Sequence, residues 1–348
     1  MSLEFSSGRE PRLPIWAAPM AGGPTTPELV TAVGEAGGLG FVPAGGVPVD
    51  RFEKDLAAAA GAGVPWGVNL FLPGSPREDG AINEYRRRLE PWARRFEVPL
   101  GEPVWTDDAI DDKVELLAGL EPAAVSFTFG DPGPDLVERV REHTGALVLT
   151  TVTTPAEAAA AGESGTDGLI VQGAEAGGHR GVWTDDEDFP GGGDLIPLFD
   201  LLERARAETG LPLVAAGGLM NGVHVRRALR AGAAAAQLGT AFLCTPEAGT
   251  KDVHRRALLE KLYVGTTVTR SFSGRPARGL SNPLAVAYPD APSAYPEIHN
   301  MTLPVRAAAA AAGDPESYHL WAGRGWREVT EEPAGRLIAR LSAEAGLR

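Results

Sequence analysis

The segment LVAAGGLMNGVHVRRALRAGAAAAQLGTAFL, residues 213–243, contains a complete strand–helix–strand unit. An apolar run at 213–216 ends in two glycines, a helical segment covers 221–231, and a second apolar run covers 235–243. Each run is apolar at nearly every residue, which is typical of strands that are buried on both faces of a parallel sheet. The segment therefore predicts two parallel strands joined by a helix.

The same pattern recurs along the chain and predicts eight strands. The other six candidate strands are residues 15–19, 39–43, 66–71, 123–129, 147–152 and 168–171. The other candidate helices are residues 27–36, 50–61, 135–143, 155–161 and 194–209. Eight strand–helix alternations favour an α/β fold of the closed (β/α)8 TIM-barrel type. An open, doubly wound sheet could also reach eight strands.

Two parts of the chain do not fit the repeat. Residues 73–121 are too long for a simple crossover, and we predict an insertion after strand three with two helices that cover the flank of the barrel. Residues 250–348 follow strand eight and include helical segments at 250–262, 303–312 and 333–346. We expect a barrel over residues 1–249 and a smaller, mainly helical C-terminal lobe that packs over the barrel mouth.

Composition excludes several classes of protein. The net charge of -14 argues against nucleic acid and against an anionic membrane surface as partners. The single cysteine, Cys244, cannot form an intramolecular disulfide, and its apolar setting predicts a packing role. No apolar run is long enough for a membrane span, and we expect a cytoplasmic protein. The oligomeric state is open, a homodimer included.

Functional residues of barrel enzymes lie at the carboxyl ends of strands. Strand seven ends in Gly217 and Gly218, and strand eight contains Gln237, Leu238, Gly239 and Thr240. Glycines here expose backbone N–H groups, and this is the usual phosphate position of the fold. Tight turns are the alternative. Since no GxGxxG follows strand one, the pattern favours a mononucleotide over a dinucleotide, and nothing predicts a metal site.

The ends of three other strands carry candidate ligand contacts. Ala18, Pro19 and Met20 follow strand one, where small residues would let a flat ring lie against the backbone. Asn69 and Gln172 are amides at the ends of apolar strands three and six. A buried amide needs a partner, which is either a neighbour in the core or a shared polar ligand.

The segment EAGGHRG, residues 175–181, carries a histidine, His179, directly beyond a strand end. An imidazole titrates near neutrality, so His179 is the candidate base, acid or anion contact. For Arg180, a salt bridge and a substrate contact are both open. The acidic stretch 184–194 is either a mobile lid or a solvated loop. By contrast, His143, His224 and His254 lie in or near helices, and we predict that they are at the surface.

These residues together resemble the class I nitronate monooxygenases, formerly called 2-nitropropane dioxygenases. The matching blocks are residues 18–22 (APMAG), 37–40 (GGLG), 67–71 (GVNLF), 125–127 (VSF), 171–173 (VQG), 175–181 (EAGGHRG), 215–218 (AAGG), 237–242 (QLGTAF), 269–275 (TRSFSGR) and 321–323 (WAG). The resemblance covers nearly the whole chain, and the block around His179 is its most specific element.

The resemblance implies a noncovalently bound FMN, with His179 as the catalytic base. The implied or candidate cofactor contacts are Ala18, Pro19, Met20, Asn69, Gln172, Gly177, Gly178, Gly217, Gly218, Gln237, Leu238, Gly239 and Thr240. In the more variable lobe, Tyr263, Tyr288 and Tyr295 are candidate substrate contacts.

The implied reaction is the oxidation of an alkyl nitronate, such as propionate 3-nitronate, by O2 through a flavin semiquinone. Its products are a carbonyl compound and nitrite, and a neutral nitroalkane is the other candidate substrate. The runner-up is an FMN-dependent enoyl-thioester reductase of the same superfamily, which takes hydride from NAD(P)H. A flavin-binding barrel without turnover is the third hypothesis.

Overall fold

The computed structural model describes residues 2–6, 8–77 and 80–347. Eight parallel strands close into a barrel in the order β1-β2-β3-β4-β5-β6-β8-β9, with β9 paired to β1. Its strands are β1 Ile15–Ala17, β2 Leu39–Pro43, β3 Trp66–Phe71, β4 Ala124–Thr128, β5 Leu147–Val152, β6 Gly168–Gln172, β8 Leu213–Ala216 and β9 Ala235–Leu238. The remaining strands are β7 Gly178–His179, β10 Thr266–Thr269 and β11 Ala277–Leu280. The predicted (β/α)8 barrel is confirmed.

Helices follow most of the strands around the outside of the barrel, and others belong to the insertion and to the C-terminal part. The helices are α1 Pro27–Glu35, α2 Val49–Gly61, α3 Ala81–Arg95, α4 Ile110–Glu115, α5 Gly133–Thr144, α6 Pro155–Glu163, α7 Leu198–Glu208, α8 Gly222–Arg230, α9 Asp252–Leu259, α10 Pro283–Ala287, α11 Glu297–Ala312 and α12 Ala334–Ala345. Thr26 caps α1, because its hydroxyl accepts the Leu29 N–H at 3.1 Å.

The barrel is filled on both sides of its strands. Trp16, Phe41, Leu149, Ile170 and Val214 pack in one buried cluster with neighbouring strand residues. A second layer lies between the strands and the outer helices. Burial on both faces explains why the strands are apolar at nearly every position.

Some predicted bounds were wrong for local reasons. Strand eight was predicted to reach residue 243, but β9 stops at Leu238, and the chain then turns through a short 3-10 helix, Thr240–Phe242. The helix predicted at 194–209 begins only at Leu198, because Pro197 is its extended N-cap. The early end of β9 places Gly239 and Thr240 at the barrel mouth instead of within a strand.

The insertion after β3 contains two helices, as predicted, but they lie in different places. Helix α4 packs near α2 on the barrel flank, and Val114 joins the core there. Helix α3 does not cover the flank; it packs against α11 of the C-terminal part. Its buried face, which includes Tyr85 and Leu89, shares a core with Ile298 and Met301.

The C-terminal residues also divide between two places. Strands β10 and β11 form an antiparallel sheet with β7, and α11 crosses above the barrel mouth. The prediction that all of residues 250–348 lie over the barrel mouth is wrong for the last helix. Helix α12 packs between α8 and α1, with Leu337, Ile338 and Leu341 buried, and so completes the outer ring. Among the described residues, no helix is long and apolar enough to cross a membrane.

The chain segment at 322–324 ties the C-terminal part to the barrel loops. The backbone N–H of Gly323 donates to the Thr240 hydroxyl at 2.9 Å, and that of Arg324 donates to the Glu175 carbonyl at 2.9 Å. This segment lies directly on Gly177, where an added Cβ atom would be 2.3 Å from the Gly323 nitrogen. Only glycine fits there without a backbone shift.

We expect Gly177→Ala to reduce the free energy of unfolding by about 1–3 kcal/mol, the usual cost of overpacking. Thermal melting monitored by circular dichroism would measure the change. The matched control is Gly61→Ala at the exposed end of α2, where an added Cβ meets no atom within 4 Å. A melting temperature for Gly177→Ala equal to that of the control would contradict the close approach.

Candidate active site

A cavity of about 790 Å³ opens at the carboxyl ends of the barrel strands. Its volume lies within the usual range for small-molecule and cofactor sites. It is lined by His179, Tyr295 and all thirteen residues predicted as cofactor contacts: Ala18, Pro19, Met20, Asn69, Gln172, Gly177, Gly178, Gly217, Gly218, Gln237, Leu238, Gly239 and Thr240. The barrel supplies the floor, and the C-terminal part supplies the opposite wall.

Two glycines at the end of β8 form a bare stretch of backbone on the cavity wall. Gly217 has φ 114° and Gly218 has φ 70°, in the left-handed region that favours glycine. At Gly218, an added Cβ atom would lie 2.7 Å from the Cβ atom of Glu175. With Gly239 across the gap, they make a cradle in which a ligand can approach backbone N–H groups closely.

The three predicted amides differ in what they bind. Gln237 is buried, and its Nε2 atom has no hydrogen-bond partner among the described residues. Asn69 donates through Nδ2 to the hydroxyls of Ser126 and Thr128, both at 3.0 Å. Gln237 therefore offers a donor to a ligand, whereas the Asn69 amino group is held by the barrel.

Gln172 lines the cavity but also holds the loop that carries His179. Its Oε1 atom accepts the Gly181 N–H at 2.8 Å, and its Nε2 donates to the His179 carbonyl at 3.1 Å. The structure thus gives this amide a role in shaping the site as well as a place on its wall.

His179 is held from two sides. Its strand, β7, pairs with β11, so that His179 lies opposite Ala277. Its Nε2 atom lies 2.9 Å from the Ser273 hydroxyl, and that hydroxyl donates to the Arg275 carbonyl at 3.2 Å. Since the hydroxyl has one proton, this network assigns the proton of a neutral imidazole to Nε2, which leaves the lone pair on Nδ1.

The surroundings of His179 favour its neutral form. Its pKa is lowered to about 3, mainly by burial and to a smaller extent by the positive charges of Arg275 and Arg306. The rings of Phe129, Tyr295 and Trp321 lie 5.5–5.8 Å from the imidazole centroid. His179 is therefore a neutral imidazole at neutral pH, in an aromatic wall.

Three more histidines line the cavity, and none of them was predicted as a site residue. They are His254 on α9, His299 on α11, and His319. The prediction that His254 lies at the surface is wrong, because it is only 3% exposed, and burial lowers its pKa to about 4. All three come from the C-terminal part, where the sequence gives no strand end to mark the site. His143 and His224 do not line the cavity.

Arg180 and the acidic stretch 184–194 both have hydrogen-bond or ion-pair partners in the folded chain. Arg180 is buried outside the cavity, and its Nη2 donates to the Asp194 carbonyl at 3.0 Å. Arg270 and Asp185 form a buried ion pair at 2.5 Å, and Arg270 also donates to the Phe189 carbonyl. The stretch 184–194 is thus anchored to the C-terminal part at its start, and is not a simple solvated loop there.

Two predicted substrate contacts lie elsewhere. The Tyr288 hydroxyl donates to the Arg88 carbonyl at 2.6 Å and accepts from Trp92 at 2.9 Å, within the core between α3 and the C-terminal part. Tyr263 is packed beside another C-terminal cluster. Neither lines the cavity, so Tyr295 is the one of the three predicted tyrosines that does. Cys244 is fully buried in the same C-terminal cluster, as its apolar setting predicts, and burial raises its pKa to about 11.

Comparison with known proteins places this architecture in a family. The sequence profile of the nitronate monooxygenases matches residues 10–344. The chain belongs to the nitronate monooxygenase family. It is 37% identical to the nitronate monooxygenase of Pseudomonas aeruginosa, with 95% of each chain covered. It is 34% identical to a probable nitronate monooxygenase of Staphylococcus saprophyticus, over 96% of this chain and 95% of that one. Members of this family are enzymes, and the chain is an oxidoreductase.

Solved structures agree with this membership. A nitroalkane oxidase from Streptomyces ansochromogenes is 45% identical, with a TM-score of 0.91 and 96% of each chain covered. FabK from Thermotoga maritima is 25% identical, with a TM-score of 0.74 over 97% of this chain and 94% of that chain. The nitroalkane oxidase is thus closer than FabK in both sequence and structure.

The buried histidines predict that the protein becomes less stable as the pH falls. An unfolded histidine has a pKa of about 6.5, whereas folded His254 has a pKa of about 4. Below pH 6.5 the unfolded chain gains protons that the folded chain does not, so the free energy of unfolding falls.

His254→Gln removes one of these groups, and we expect it to flatten that loss by up to about 1.4 kcal/mol per pH unit between pH 6 and 4.5. Urea unfolding of both proteins at a series of pH values would measure the difference. His143→Gln on α5, outside the cavity, is the matched control. Parallel curves for His254→Gln and the parent protein would show that His254 is not held neutral.

Proposed function

We propose that the chain binds FMN in this cavity and oxidises alkyl nitronates with O2 to a carbonyl compound and nitrite. The observation that carries the proposal is the position of His179. It is a neutral imidazole on the wall of the cavity that also contains the glycine cradle at the ends of β8 and β9. Family membership supports the same reaction type.

The residues of the cavity fit a flavin mononucleotide. Gly217, Gly218 and Gly239 offer backbone that a phosphate can approach, as the ends of barrel strands seven and eight commonly do. The unpaired Nε2 atom of Gln237 is a buried donor that calls for an acceptor from a ligand. Ala18, Pro19 and Met20 leave room for a flat ring beside the end of β1.

Bound FMN would supply the electron acceptor for the reaction. The chain's own residues would bind and orient the substrate beside it, and the aromatic wall of Phe129, Tyr295 and Trp321 would exclude water from the reacting atoms.

The environment of His179 favours a nitronate over a neutral nitroalkane as substrate. A nitronate is already an anion, so its oxidation requires no proton abstraction. A nitroalkane must first lose its α-proton, and an imidazole with a pKa of about 3 is a weak base for that step. When the nitronate anion forms beside His179, its negative charge stabilises the protonated imidazole. His179 could accept the α-proton of a nitroalkane in this way.

Oxygen consumption and nitrite release with ethyl nitronate and with propionate 3-nitronate test the proposed function. The FMN released on denaturation should be counted in the same samples. We expect about one FMN per chain and turnover of at least one nitronate. A protein that cannot be reconstituted with FMN would contradict the proposal.

The variant His179→Asn separates the two substrate classes. We expect it to retain FMN and nitronate turnover within about tenfold. Turnover of the nitroalkane should fall at least about 100-fold, which is the usual contribution of a general base. Steady-state kinetics with nitroethane and ethyl nitronate measure both values, and Ser273→Ala serves as a comparison that removes only the hydroxyl beside Nε2. Equal losses on both substrates in His179→Asn would contradict the role of His179 as a base.

A further inference from the structure

Arg306 is a buried cation on the cavity wall, and it has no role in the function proposed above. It lies on α11, whose residues His299, Leu303, Arg306 and Ala310 follow one another along the cavity. Arg306 is only 4% exposed. A buried guanidinium is costly unless an opposite charge compensates it, so its surroundings decide what it does.

The side chain is held in place by its own helix. Its Nε atom donates to the Thr302 hydroxyl at 3.0 Å, and one Nη2 proton goes to the His299 carbonyl at 2.8 Å. The Thr302 hydroxyl in turn donates to the Phe272 carbonyl. A guanidinium has five N–H groups, so three have no acceptor within the described chain. The group is fixed in position and still has donors to offer.

Arg306 also differs from the other buried arginines in its lack of a counter-charge. Arg270 pairs with Asp185. Burial lowers the pKa of Arg180, Arg275 and Arg278, but the negative charge of at least one nearby carboxylate opposes that lowering in each case. For Arg306, burial lowers the pKa to about 10, and only two tyrosines, Tyr318 and Tyr295, act to raise it. Among the described residues, none supplies the negative charge that this site lacks.

Two buried histidines of the C-terminal part also line the cavity and add unpaired nitrogen atoms. His319 Nδ1 and His254 Nε2 are buried without a hydrogen-bond partner in the described part of the chain. The charge of Arg306 helps burial to lower the pKa of His319 well below its usual range, so that histidine is neutral. Neutral imidazoles can donate one hydrogen bond to an anion without adding positive charge.

The acidic residues on the cavity wall do not fill this role. Asp107 and Asp108 belong to the insertion after β3 and line the cavity, but neither is among the charges that act on Arg306. Asp108 is already paired with Lys113 at 2.7 Å.

We propose that Arg306 is the residue that binds a planar oxyanion in the cavity and thereby determines substrate specificity. The planar fork of a guanidinium matches two oxygens on one atom, as in a carboxylate or an NO2 group. Within the proposed function, that group is either a carboxylate tail of the nitronate or the nitrogen–oxygen end that leaves as nitrite. The anion site itself does not depend on turnover.

Direct binding to the FMN-loaded protein tests the site. Isothermal titration calorimetry would measure the Kd of sodium propionate and of sodium nitrite for the parent protein, Arg306→Met, Arg306→Lys and Arg306→Gln. We expect at least one of the two anions to bind the parent protein. Its Kd should rise at least about tenfold in Arg306→Met and in Arg306→Gln, and less in Arg306→Lys, which keeps the charge.

Arg256→Met is the matched control, because it removes the same charge from exposed Arg256 of α9, outside the cavity. Its anion affinity should equal that of the parent protein. The glutamine variant guards against misfolding of the methionine variant, since glutamine can still donate to the Thr302 hydroxyl. Unchanged affinity in Arg306→Met and Arg306→Gln, or no binding of either anion to the parent protein, would overturn the proposal. Loss of FMN from these variants would overturn it too, because Arg306 would then serve the cofactor.

Kinetics identify the source of the anion. If Arg306 binds the carboxylate tail, Arg306→Met raises KM for propionate 3-nitronate at least about tenfold and leaves KM for propyl 1-nitronate unchanged. If it binds the NO2 group, both values rise. Unchanged values for both substrates would contradict the proposal. If the parent protein oxidises no nitronate, the proposed function fails, and calorimetry still decides whether Arg306 binds anions.

Discussion

The pairing of two short strands, β7 with β11, is the interaction on which the site depends. Gly178 lies opposite Arg278, and His179 lies opposite Ala277, so a loop of the barrel is fixed by a strand of the C-terminal part. Gln172 at the end of β6 holds the same loop from below through the His179 carbonyl. His179 therefore belongs to a loop of the barrel, whereas contacts from both the barrel and the C-terminal part fix the orientation of its imidazole.

A second constraint is electrostatic. The chain carries a net charge of -14, yet the cavity wall formed by the C-terminal part contains an uncompensated guanidinium and several neutral histidines. Net charge governs encounters with large polyanions, whereas the few groups that face a cavity govern what binds in it. An acidic protein can thus contain a site suited to a small anion. Burial holds His179 neutral at the same time, so the buried positive charge on that wall is Arg306, and the wall's other cation, Lys251, is exposed.

The sequence predicts the barrel half of the site well, because strand ends are visible as apolar runs that stop at glycines or amides. Asn69, Gln172, Gly217 and Gln237 were found in this way, and all line the cavity. Their hydrogen bonds could not be predicted, since Gln172 binds the loop of His179 through contacts that only the folded chain brings together.

The other half of the site was missed for a physical reason. Residues 270–304 have no helical or strand period, so nothing in their pattern shows that β11 reaches β7 or that α11 begins at Glu297. Arg306 and His319 consequently looked like any other residues of a helix and a loop, and Tyr288 looked as suitable for substrate as Tyr295. The amphipathic pattern of α12 predicted a helix but not its place in the outer ring.

In the proposed reaction, the cavity binds a flavin that a nitronate reduces directly. Anaerobic mixing of the FMN-loaded protein with ethyl nitronate or with NADH, followed by the flavin absorbance near 450 nm, tests it most directly. We expect rapid loss of that absorbance with the nitronate and none with NADH on the same time scale. Rapid bleaching by NADH, with no change on addition of the nitronate, would contradict it.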